Sequence, residues 1–569
     1  MIEKMTKYSF VLLDAAKEDF LSSIQEIGLV DITRSSKPVD ERTSALLESI
    51  EAQKRLISEI ESGSDPTLKG LKDNLSSLEK EAQETRFWGS WDRSALEEAG
   101  VKLHFYKVVS KKFDPSWEAD YAVFKVQDDG KDCRFVIAGD NAGFPVKEIP
   151  APSRNYSDVN ADIKAATDGI NAYHAKLEAA KSELPAMREA LAGLQGDFSR
   201  ALASAAAEDA AENLLAVFEG FAPAEDDAEI QQRLDKMDVV WFKDEAVLED
   251  NPPIKFKNNK FVRMFEMLVD MYGRPAYDGF DPTPFFSIFF LLFFAFCMGD
   301  AGYGLLLVAL GLGLKKKLGD ISSLVIVLGV ATTVIGFLFH TFFSIDISQW
   351  KILEPVKGVF LPSKIAGYDG TMVLSIIVGI IHICVAMVVK TCVSTRQKGF
   401  LGSLGTWGWT LLIVGGIIVG AFALLGVIDK SLTKTIIIVL GIISAIGIFP
   451  LNDIHRNPFA NVGMGLWDTY NAVTGLLGDV LSYLRLYALG LAGMMLGSSF
   501  NTIGQAILGD GSSPVSWVFF ILLVVVGHTL NIAMAALGAF VHPLRLNFLE
   551  FFKNSGYEAA GRNFDPLKK

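Results

Sequence analysis

The chain changes character near residue 283, where one pattern of apolar and polar residues gives way to another. Residues 1–283 combine short apolar runs with long stretches in which apolar residues recur at helical spacing. From residue 284 onward, most apolar segments are long enough to span a bilayer. The pattern predicts an N-terminal α+β domain, residues 1–283, followed by an α-helical membrane domain, residues 284–569.

The N-terminal part contains two regions that favour β-strands. The first is Tyr8–Leu13, which is followed by a helical segment at Ala15–Ile27 and a β-prone stretch at Leu29–Thr33. The second is residues 102–150, with β-branched and aromatic runs such as Tyr121–Val126. We expect two small α/β lobes here.

Two helical arms are predicted, at about residues 41–85 and 162–215. In the second arm, apolar residues recur every seven positions. Each of them is followed three positions later by another apolar residue, which is the pattern of a coiled coil. The first set is Ile163, Ile170, Leu177, Leu184, Leu191 and Phe198. The first arm, interrupted at Gly63–Pro66, is the natural antiparallel partner. The arms form either a stalk that holds two assemblies apart, which we favour, or an intramolecular hairpin.

The membrane half is predicted to contain six long apolar segments and one ambiguous segment. The long segments are Ile321–Phe343, Thr371–Val393, Leu404–Ile428, Thr435–Pro450, Asp468–Leu508 and Val515–Phe552. The last two exceed the length of a perpendicular span, so we expect long helices that either tilt strongly or project from the bilayer. The ambiguous segment, Pro284–Leu314, is interrupted by Gly299–Gly304 and is either one helix or two.

The distribution of basic residues resolves this ambiguity. Eleven basic residues, among them Lys315–Lys317, Arg456 and Lys569, lie in one set of loops, whereas five, including Lys357, lie in the opposite set. The positive-inside rule places the first set in the cytoplasm. The N-terminal half has no secretory signal, so it should be cytoplasmic too. The chain must therefore cross the membrane an even number of times before Lys315. We expect Pro284–Leu314 to be a broken hairpin of two short helices, which gives eight helices with both termini cytoplasmic. Asp300 would cap the second helix of the hairpin.

Composition excludes several classes of function. Residues 1–283 contain 35 Lys and Arg against 53 Asp and Glu, and residues 284–569 contain 18 against 13. A single soluble enzyme is therefore excluded, and nucleic-acid binding lacks a basic face. The four cysteines have no paired spacing, and no GxxxxGK[ST] motif is present. We expect a chain without nucleotide hydrolysis, metal or cofactor.

Arg485 is the main candidate functional residue, because it is predicted to lie midway along the seventh membrane helix. A mid-membrane arginine costs about 2.5–3.5 kcal/mol to insert and is usually paired and functional. Its helical face carries Gly478, Ser482, Ala488 and Ala492, small residues that let another helix approach closely. No acid of this chain shares that face, so the partner carboxylate is expected from another helix or another subunit.

The last helix supplies a second group of candidates. His542 and Asn531 precede Arg545 by three and fourteen residues, and with His528 they are predicted to form a polar file beside Arg485. Such a file is typical of a path for protons or hydrated ions, although Arg545 also suits a snorkelling role at the membrane edge. Glu550 is predicted to face elsewhere and to line a cytoplasmic entry. His340 and His382 are expected to be packing residues.

Several blocks of the sequence, in order, resemble the a subunit of V-type and A-type rotary ATPases, called subunit I in bacteria. They are Val217–Pro223, Phe265–Met267, Met271–Pro275, Asp281–Phe285, Phe293–Gly304, Gly478–Gly490 and His542–Phe551. The resemblance implies a cytoplasmic stator domain that contacts peripheral stalks. It also implies an eight-helix domain in the cell membrane that packs beside a rotating proteolipid ring.

The resemblance also implies roles for individual residues. Arg485 would face each ring carboxylate, Arg545 would be the second arginine, and His542 and Glu550 would line access channels for H⁺ or Na⁺. Gly493 stands where some relatives have a polar channel residue. Two other classes remain open: a self-contained secondary transporter, which predicts internal repeats, and a non-conducting membrane scaffold.

Overall fold

The computed structural model describes the chain with the exception of a few short stretches. These are residues 36, 39, 63–65, 89–92, 152–153, 211–213, 349, 352–353, 356–357, 359, 366, 452–457, 510–512 and 569. Gly63, Lys357, Arg456 and Lys569, on which predictions above partly depend, thus lie outside the described residues. Contacts divide the chain into two compact units. The first contains Met1–Leu12, Leu29–Ile32 and Val217–Pro566, and the second Leu13–Gly28, Thr33–Ala216 and Leu567–Lys569.

The described strands are mostly short. In chain order they are β1 Met5–Leu13, β2 Asp31–Ile32, β3 Leu103–Val109, β4 Val123–Asp128, β5 Asp132–Ala138, β6 Glu208–Ala210, β7 Leu215–Pro223, β8 Val240–Glu245, β9 Pro253–Ile254, β10 Thr341–Phe342, β11 Ile345–Asp346, β12 Lys364–Ile365, β13 Tyr368–Asp369 and β14 Arg562–Asn563.

Helices account for most of the chain. In chain order they are α1 Lys17–Ile27, α2 Glu41–Ser62, α3 Pro66–Thr85, α4 Arg93–Glu98, α5 Trp117–Asp120, α6 Tyr156–Ala205, α7 Asp227–Leu234, α8 Lys260–Asp270, α9 Thr283–Met298, α10 Ala301–Gly313, α11 Lys315–Leu318, α12 Asp320–Leu338, α13 Gly370–Gly402, α14 Leu404–Thr410, α15 Gly416–Leu424, α16 Lys430–Ile448, α17 Pro458–Ser482, α18 Leu484–Leu508, α19 Pro514–Arg545 and α20 Phe552–Ser555. Two π-helical turns, Leu411–Gly415 and Leu546–Phe551, join α14 to α15 and α19 to α20.

The second unit is built on the two predicted arms. The first arm consists of α2 and α3, which both pack against the long helix α6. Between Asn171 and Gln195 every heptad core position of α6 is half-buried, and every other position is exposed. Arg188 on α6 donates to Glu61 on α2 at 2.5 Å. The apolar stripe of α6 is thus the less exposed face of the helix, as the heptads predict. The role of the arms as a stalk that bridges two lobes remains a prediction.

The second unit also contains one of the two β-rich regions. Here β3, β5 and β4 form an antiparallel sheet. Its small core consists of Tyr106, Cys133, Phe135 and Ile137. Since residues 102–150 were predicted to be β-rich, this lobe was foreseen from β-branched and aromatic content alone.

In the first unit, the N-terminal sheet has the strand order β2-β7-β1-β8. Tyr8, Phe10 and Leu12 of β1 are buried on one face of the sheet. The chain's last strand, β14, pairs in parallel with β9. Arg562 of β14 donates to the carbonyl of Asn251 at 3.0 Å and to the carboxylate of Asp31 at 3.3 Å.

The membrane helices belong to the first unit. Six segments are long and apolar enough to span a bilayer, and α9 and α10 are shorter apolar helices. Their shared core is rich in phenylalanine, with Phe286, Phe290 and Phe293 fully buried. The break between α9 and α10 confirms the predicted interruption of Pro284–Leu314. A total of eight crossings remains a prediction, because two of these helices are short.

The two long final segments are confirmed as the spans Asn461–Leu508 and Pro514–Ser555, and each contains one local irregularity. In the first, a tight turn at Tyr483 separates α17 from α18. In the second, the α-helix ends at Arg545 and continues as the π-helical turn Leu546–Phe551 and α20. Apolar length and composition do not reveal such local changes, because they depend on packing against neighbouring helices.

The N-terminal sheet provides a test of electrostatic stability outside the membrane helices. Lys7 Nζ contacts Asp250 at 2.8 Å and Glu219 at 2.9 Å, and the hydrogen bond to Asp250 raises the pKa of Lys7. The same hydrogen bond lowers the pKa of Asp250. We expect Lys7→Gln to lower the unfolding temperature at neutral pH.

The difference between Lys7→Gln and the wild type should depend on pH with a defined sign. Asp250 has a lowered pKa, so its contribution is complete above about pH 4 and is lost as the pH falls through the folded-state value. Thermal unfolding of detergent-solubilised protein between pH 3 and 7 measures this. Lys4→Gln, a nearby substitution outside this pair, is the control, and a pH-independent difference would contradict the assignment.

Candidate functional site around Arg485

The break between α17 and α18 places Arg485 in the first turn of α18. The Tyr483 amide donates to the Val480 carbonyl at 3.2 Å, and the Leu486 amide donates to the Tyr483 carbonyl at 3.0 Å. These bonds close over three residues, one fewer than in an α-helix, so the turn is locally tightened. Arg485 thus lies midway along the span Asn461–Leu508, as predicted, directly after this tightened turn.

The guanidinium group of Arg485 is only partly covered by its own chain. The side chain is half-buried, and its Nη1 is buried without a hydrogen-bond partner among the described residues. A buried charged donor without a partner is costly, so native structures usually supply one. Within the described part of the chain, no carboxylate forms an ion pair with Arg485.

The predicted small-residue face is open. Gly478, Ala488 and Ala492 are all exposed, and no atom lies within 4 Å of where a Cβ on Gly478 would be. Ser482 is half-buried, and its hydroxyl donates to the Gly478 carbonyl at 3.0 Å. Since the same side of α17 and α18 borders Arg485, the surface offers a shallow, sterically accessible path to the guanidinium group.

The prediction that Glu550 faces away from this region is wrong. Glu550 lies on the π-helical turn and is only 4% exposed. Its carboxyl group is next to Ser482 and within electrostatic range of Arg485, yet its Oε2 has no hydrogen-bond partner among the described residues. The π-helical turn explains the error, because its wider pitch rotates every residue beyond Arg545 relative to an α-helix.

His542 and Arg545 lie on the neighbouring helix α19. His542 is half-buried and within electrostatic range of both Arg485 and Arg545. Its Nδ1 is buried without a partner among the described residues. Arg545 is exposed. The structure therefore brings Arg485, Ser482, His542 and Glu550 into one region, with Arg545 at its exposed edge.

Asn531 and His528 belong to a separate buried network. His528 Nδ1 is 2.7 Å from the Tyr303 hydroxyl, and His528 Nε2 is 2.9 Å from the Asn501 side-chain oxygen. Asn531 donates to the Tyr303 hydroxyl and to the Gly493 carbonyl, both at 2.8 Å. The predicted single file is thus divided into two groups. Tyr303 and Asn501 were not predicted as site residues, because neither side chain carries a charge.

Asp300 organises the start of α10, as predicted. Its Oδ1 accepts from the amides of Gly302 at 2.8 Å and Tyr303 at 3.2 Å. It also accepts from the amides of Phe343 at 2.9 Å and Ser344 at 2.5 Å, a contact that was not foreseen. Both of these residues have positive φ angles, 47° and 58°. Asp300 therefore stabilises a strained turn next to the Tyr303 network.

A cavity of about 420 Å³ with polar groups in its wall lies beside α17. The residues of α17 that line it precede Arg485 in the chain, whereas Gly493 follows Arg485. Asp479 lines it and accepts from Lys553 at 3.1 Å and from Asn554 at 2.8 Å. Lys390 and Asn471 complete its polar wall. Asn554 also donates to the Glu550 carbonyl at 2.7 Å, which links the cavity to the π-helical turn.

No group of three or more His, Cys, Asp or Glu side chains suited to a metal ion is found among the described residues. His340 contacts Asp346 at 3.1 Å. His382 is fully buried among aromatic rings. The arrangement is that of a multi-pass membrane protein with a charged residue at an open helix face and polar groups on either side of it.

Comparison with known proteins assigns the family. The model of the V-type ATPase 116 kDa subunit family matches residues 164–352 and 468–569, which together make up just over half of the chain. These ranges include Tyr303, Arg485 and Glu550. The chain therefore belongs to the V-type ATPase 116 kDa subunit family.

Individual relatives agree with this assignment. The chain is 28% identical over 457 residues to the A-type ATP synthase subunit I of Methanocaldococcus jannaschii, covering 73% of this chain and 64% of that protein. It is 31% identical over 334 residues to the corresponding subunit of Pyrococcus horikoshii, covering 56% and 48%. The V-type ATP synthase subunit I 1 of Treponema pallidum is 29% identical over 343 residues, covering 56% and 53%.

The matched regions span about half to two thirds of the length of these relatives. The chain is thus a member of this family with six helices, among its described residues, that are long and apolar enough to span a membrane.

The Asp300 anchor yields a prediction about stability. Asp300→Ala removes the acceptor of four backbone amides, and hydrogen bonds to a charged group contribute about 1.5–3 kcal/mol each. We expect the variant to lose at least about 3 kcal/mol of stability and to release the strained turn at Phe343 and Ser344.

The measurement is thermal unfolding of the purified variant in detergent, compared with Asp346→Ala in a nearby exposed loop. An unfolding temperature of Asp300→Ala equal to that of the control would contradict the anchoring role.

Proposed function

We propose that this chain is the ion-translocating stator subunit of a rotary V/A-type ATPase. In this proposal, Arg485 faces the carboxylates of a rotating proteolipid ring, and polar groups on either side of it form two half-channels. The observation that carries the proposal is the partly buried guanidinium group of Arg485, which no described carboxylate of its own chain pairs. Its negative partner is therefore supplied by another protein.

The exposed small-residue face supports the docking of a ring helix. Gly478, Ala488 and Ala492 are exposed beside Arg485, and alanine and glycine both suit close helix packing. Small side chains allow backbones to approach closely, which brings a carboxylate on the second helix within reach of the guanidinium group. The face is the surface along which successive ring helices pass.

The polar cavity lined by Asp479 is proposed as the cytoplasmic half-channel. Two of its lining residues, Lys390 and Lys553, belong to the basic set that the positive-inside rule places in the cytoplasm. Asp479 precedes Arg485 by six residues, roughly 9 Å of helix. Glu550 and Ser482 lie between the cavity and Arg485 and are proposed to pass the ion onward.

The network around Tyr303 is proposed to belong to the opposite half-channel. Gly493, whose carbonyl binds Asn531, follows Arg485 by eight residues, or roughly 12 Å of helix. His528, Tyr303 and Asn531 form a continuous hydrogen-bonded chain at this depth. Such a chain is suited to the transfer of protons, and H⁺ is the ion that we propose.

The arginine has two functions in this mechanism. A ring carboxylate surrounded by lipid is favoured in its neutral form, because burial disfavours charge. Opposite Arg485 the charged form is favoured, so the arriving site releases its ion. The fixed positive charge also prevents a cation from passing directly between the half-channels, so the ion must travel with the ring.

The N-terminal part, residues 1–283, is proposed to be a cytoplasmic stator domain. The long helix α6, packed by α2 and α3, is suited to resist torque because it extends over about 75 Å at 1.5 Å per residue. Its proposed partners are the peripheral-stalk subunits. Nucleotide hydrolysis would take place in other subunits of the complex.

The proposal predicts the effect of substituting Arg485. Arg485→Ala should abolish ATP-driven ion uptake into vesicles by the assembled complex, because the ring carboxylates lose the charge that ionises them. Arg485→Lys should retain the charge but not the bidentate geometry, and we expect it to lose at least about ten-fold of the transport.

Lys364→Ala, a change of an exposed cation outside the membrane helices, is the control for Arg485. Transport by Arg485→Ala at the wild-type rate would refute the proposed function and would leave the role of a membrane scaffold.

The open face can be tested by adding bulk. Ala488→Trp and Ala492→Trp should block the approach of ring helices and lower ion transport at least about ten-fold, because a clash of this size exceeds what side-chain motion absorbs. Transport assays and co-purification of the other subunits give the measurement.

The matched control is Ile438→Trp, an exposed apolar position of α16. If all three tryptophan variants transport equally well, the face of α17 and α18 is not where the ring docks.

A further inference from the structure

We propose that His382 is a positioning residue that holds Arg485 and Glu550 in register with each other. This inference rests on the proposed function. His382 lies on α13, which also carries Lys390 of the proposed cytoplasmic half-channel. Its ring lies between the two irregular segments of the site, the break at Tyr483 and the π-helical turn Leu546–Phe551.

The first contact fixes the break that precedes Arg485. The Tyr483 hydroxyl is 2.9 Å from His382 Nδ1, and Tyr483 is completely buried. Its ring occupies space that is available only because residue 379 is glycine, since a Cβ on Gly379 would lie 2.3 Å from Tyr483 Cγ. Tyr483 is therefore held by α13 through both shape and a hydrogen bond, two residues before Arg485.

The second contact fixes the turn that carries Glu550. The His382 ring stacks on Phe551 at 4.9 Å with an interplanar angle of 8°. Asn547 also lies close to His382, although His382 Nε2 and Asn547 Oδ1 are both buried without a hydrogen-bond partner among the described residues. Asn547 in turn donates to the Pro543 carbonyl at 2.9 Å, within the segment where the π-helical turn begins.

The hydrogen bond to Tyr483 and the stack on Phe551 fix the ring of His382. With the proton on Nε2, Nδ1 accepts from the Tyr483 hydroxyl. The contacts are then directional, and a change at either end is transmitted through a single rigid ring. His382 is thus expected to set the distance between Arg485 and Glu550 without touching the ion.

The surroundings of His382 leave it no other evident role. Phe289 and Phe293 of α9 pack on its ring, with centroids at 4.2 Å and 5.0 Å. The side chain is fully buried and lines none of the cavities described above.

The test compares substitutions that keep or remove the hydrogen bond to Tyr483. His382→Phe preserves a flat ring and removes this hydrogen bond, whereas His382→Gln retains one acceptor and one donor. Tyr483→Phe removes only the hydroxyl group. The matched control is Tyr487→Phe, which changes a tyrosine two residues beyond Arg485. Each variant is assayed in the assembled complex, in membrane vesicles.

The decisive quantity is the ratio of ions transported to ATP hydrolysed, measured together with the amount of assembled complex. We expect His382→Phe to lower this ratio by about ten-fold, because small displacements of reacting groups have effects of this size. Tyr483→Phe should lower it in the same direction, and His382→Gln should restore at least half of the wild-type ratio. If His382→Phe reduces the amount of complex, Tyr483→Phe decides the question.

Arg485→Ala, measured in the same vesicles, separates the two proposals. If it transports like the wild type, the proposed function fails. If it abolishes transport while His382→Phe and Tyr483→Phe keep the wild-type ratio, the positioning role of His382 is refuted and the proposed function stands. A uniform loss of complex, with an unchanged ratio in the complex that remains, would also refute the positioning role.

Discussion

The structure depends on one electrostatic constraint: a guanidinium group placed inside a membrane protein without an ion pair to any described carboxylate of its own chain. A cation in this position is tolerated only where polar groups, water or a partner's charge compensate for its lost hydration. The surrounding residues reflect this constraint, because Ser482, His542 and Glu550 approach Arg485 without neutralising it. Asp479 of α17 is already paired with Lys553 and Asn554. The chain thus keeps its cation available.

Departures from regular helix geometry occur where this cation is presented. The tight turn at Tyr483 and the π-helical turn at Leu546–Phe551 are both held against α13, although they lie on different helices. Irregular turns in membrane helices are tolerated only when neighbouring groups satisfy the freed backbone. Asn547 adds a side-chain hydrogen bond to the Pro543 carbonyl, which also accepts from the Leu546 amide. Helices that look uniformly apolar in sequence thus contain two points of defined irregularity.

Much of the architecture follows from the sequence, and the reason differs from element to element. The heptads of α6 and the cap at Asp300 depend on local spacing and were therefore predictable. The irregular turns at Tyr483 and Arg545 were not predictable from local sequence. The residues that contact them, Gly379 and His382, lie more than 100 residues away in the chain. For the same reason Glu550 was assigned to the wrong side, while Tyr303 and Asn501 were overlooked. Arg485 was recognised because its charge contrasts with its apolar neighbours.

The pairing of β14 with β9 has a consequence for biosynthesis. Arg562 must reach Asp31 and Asn251, whose positions in the chain precede every membrane helix. The two-stranded sheet of β9 and β14 thus stays incomplete until the final membrane helix and the segment after it have been synthesised. A polypeptide whose synthesis stalls midway would leave β9 unpaired, and unpaired strand edges are sites of aggregation and recognition by other chains.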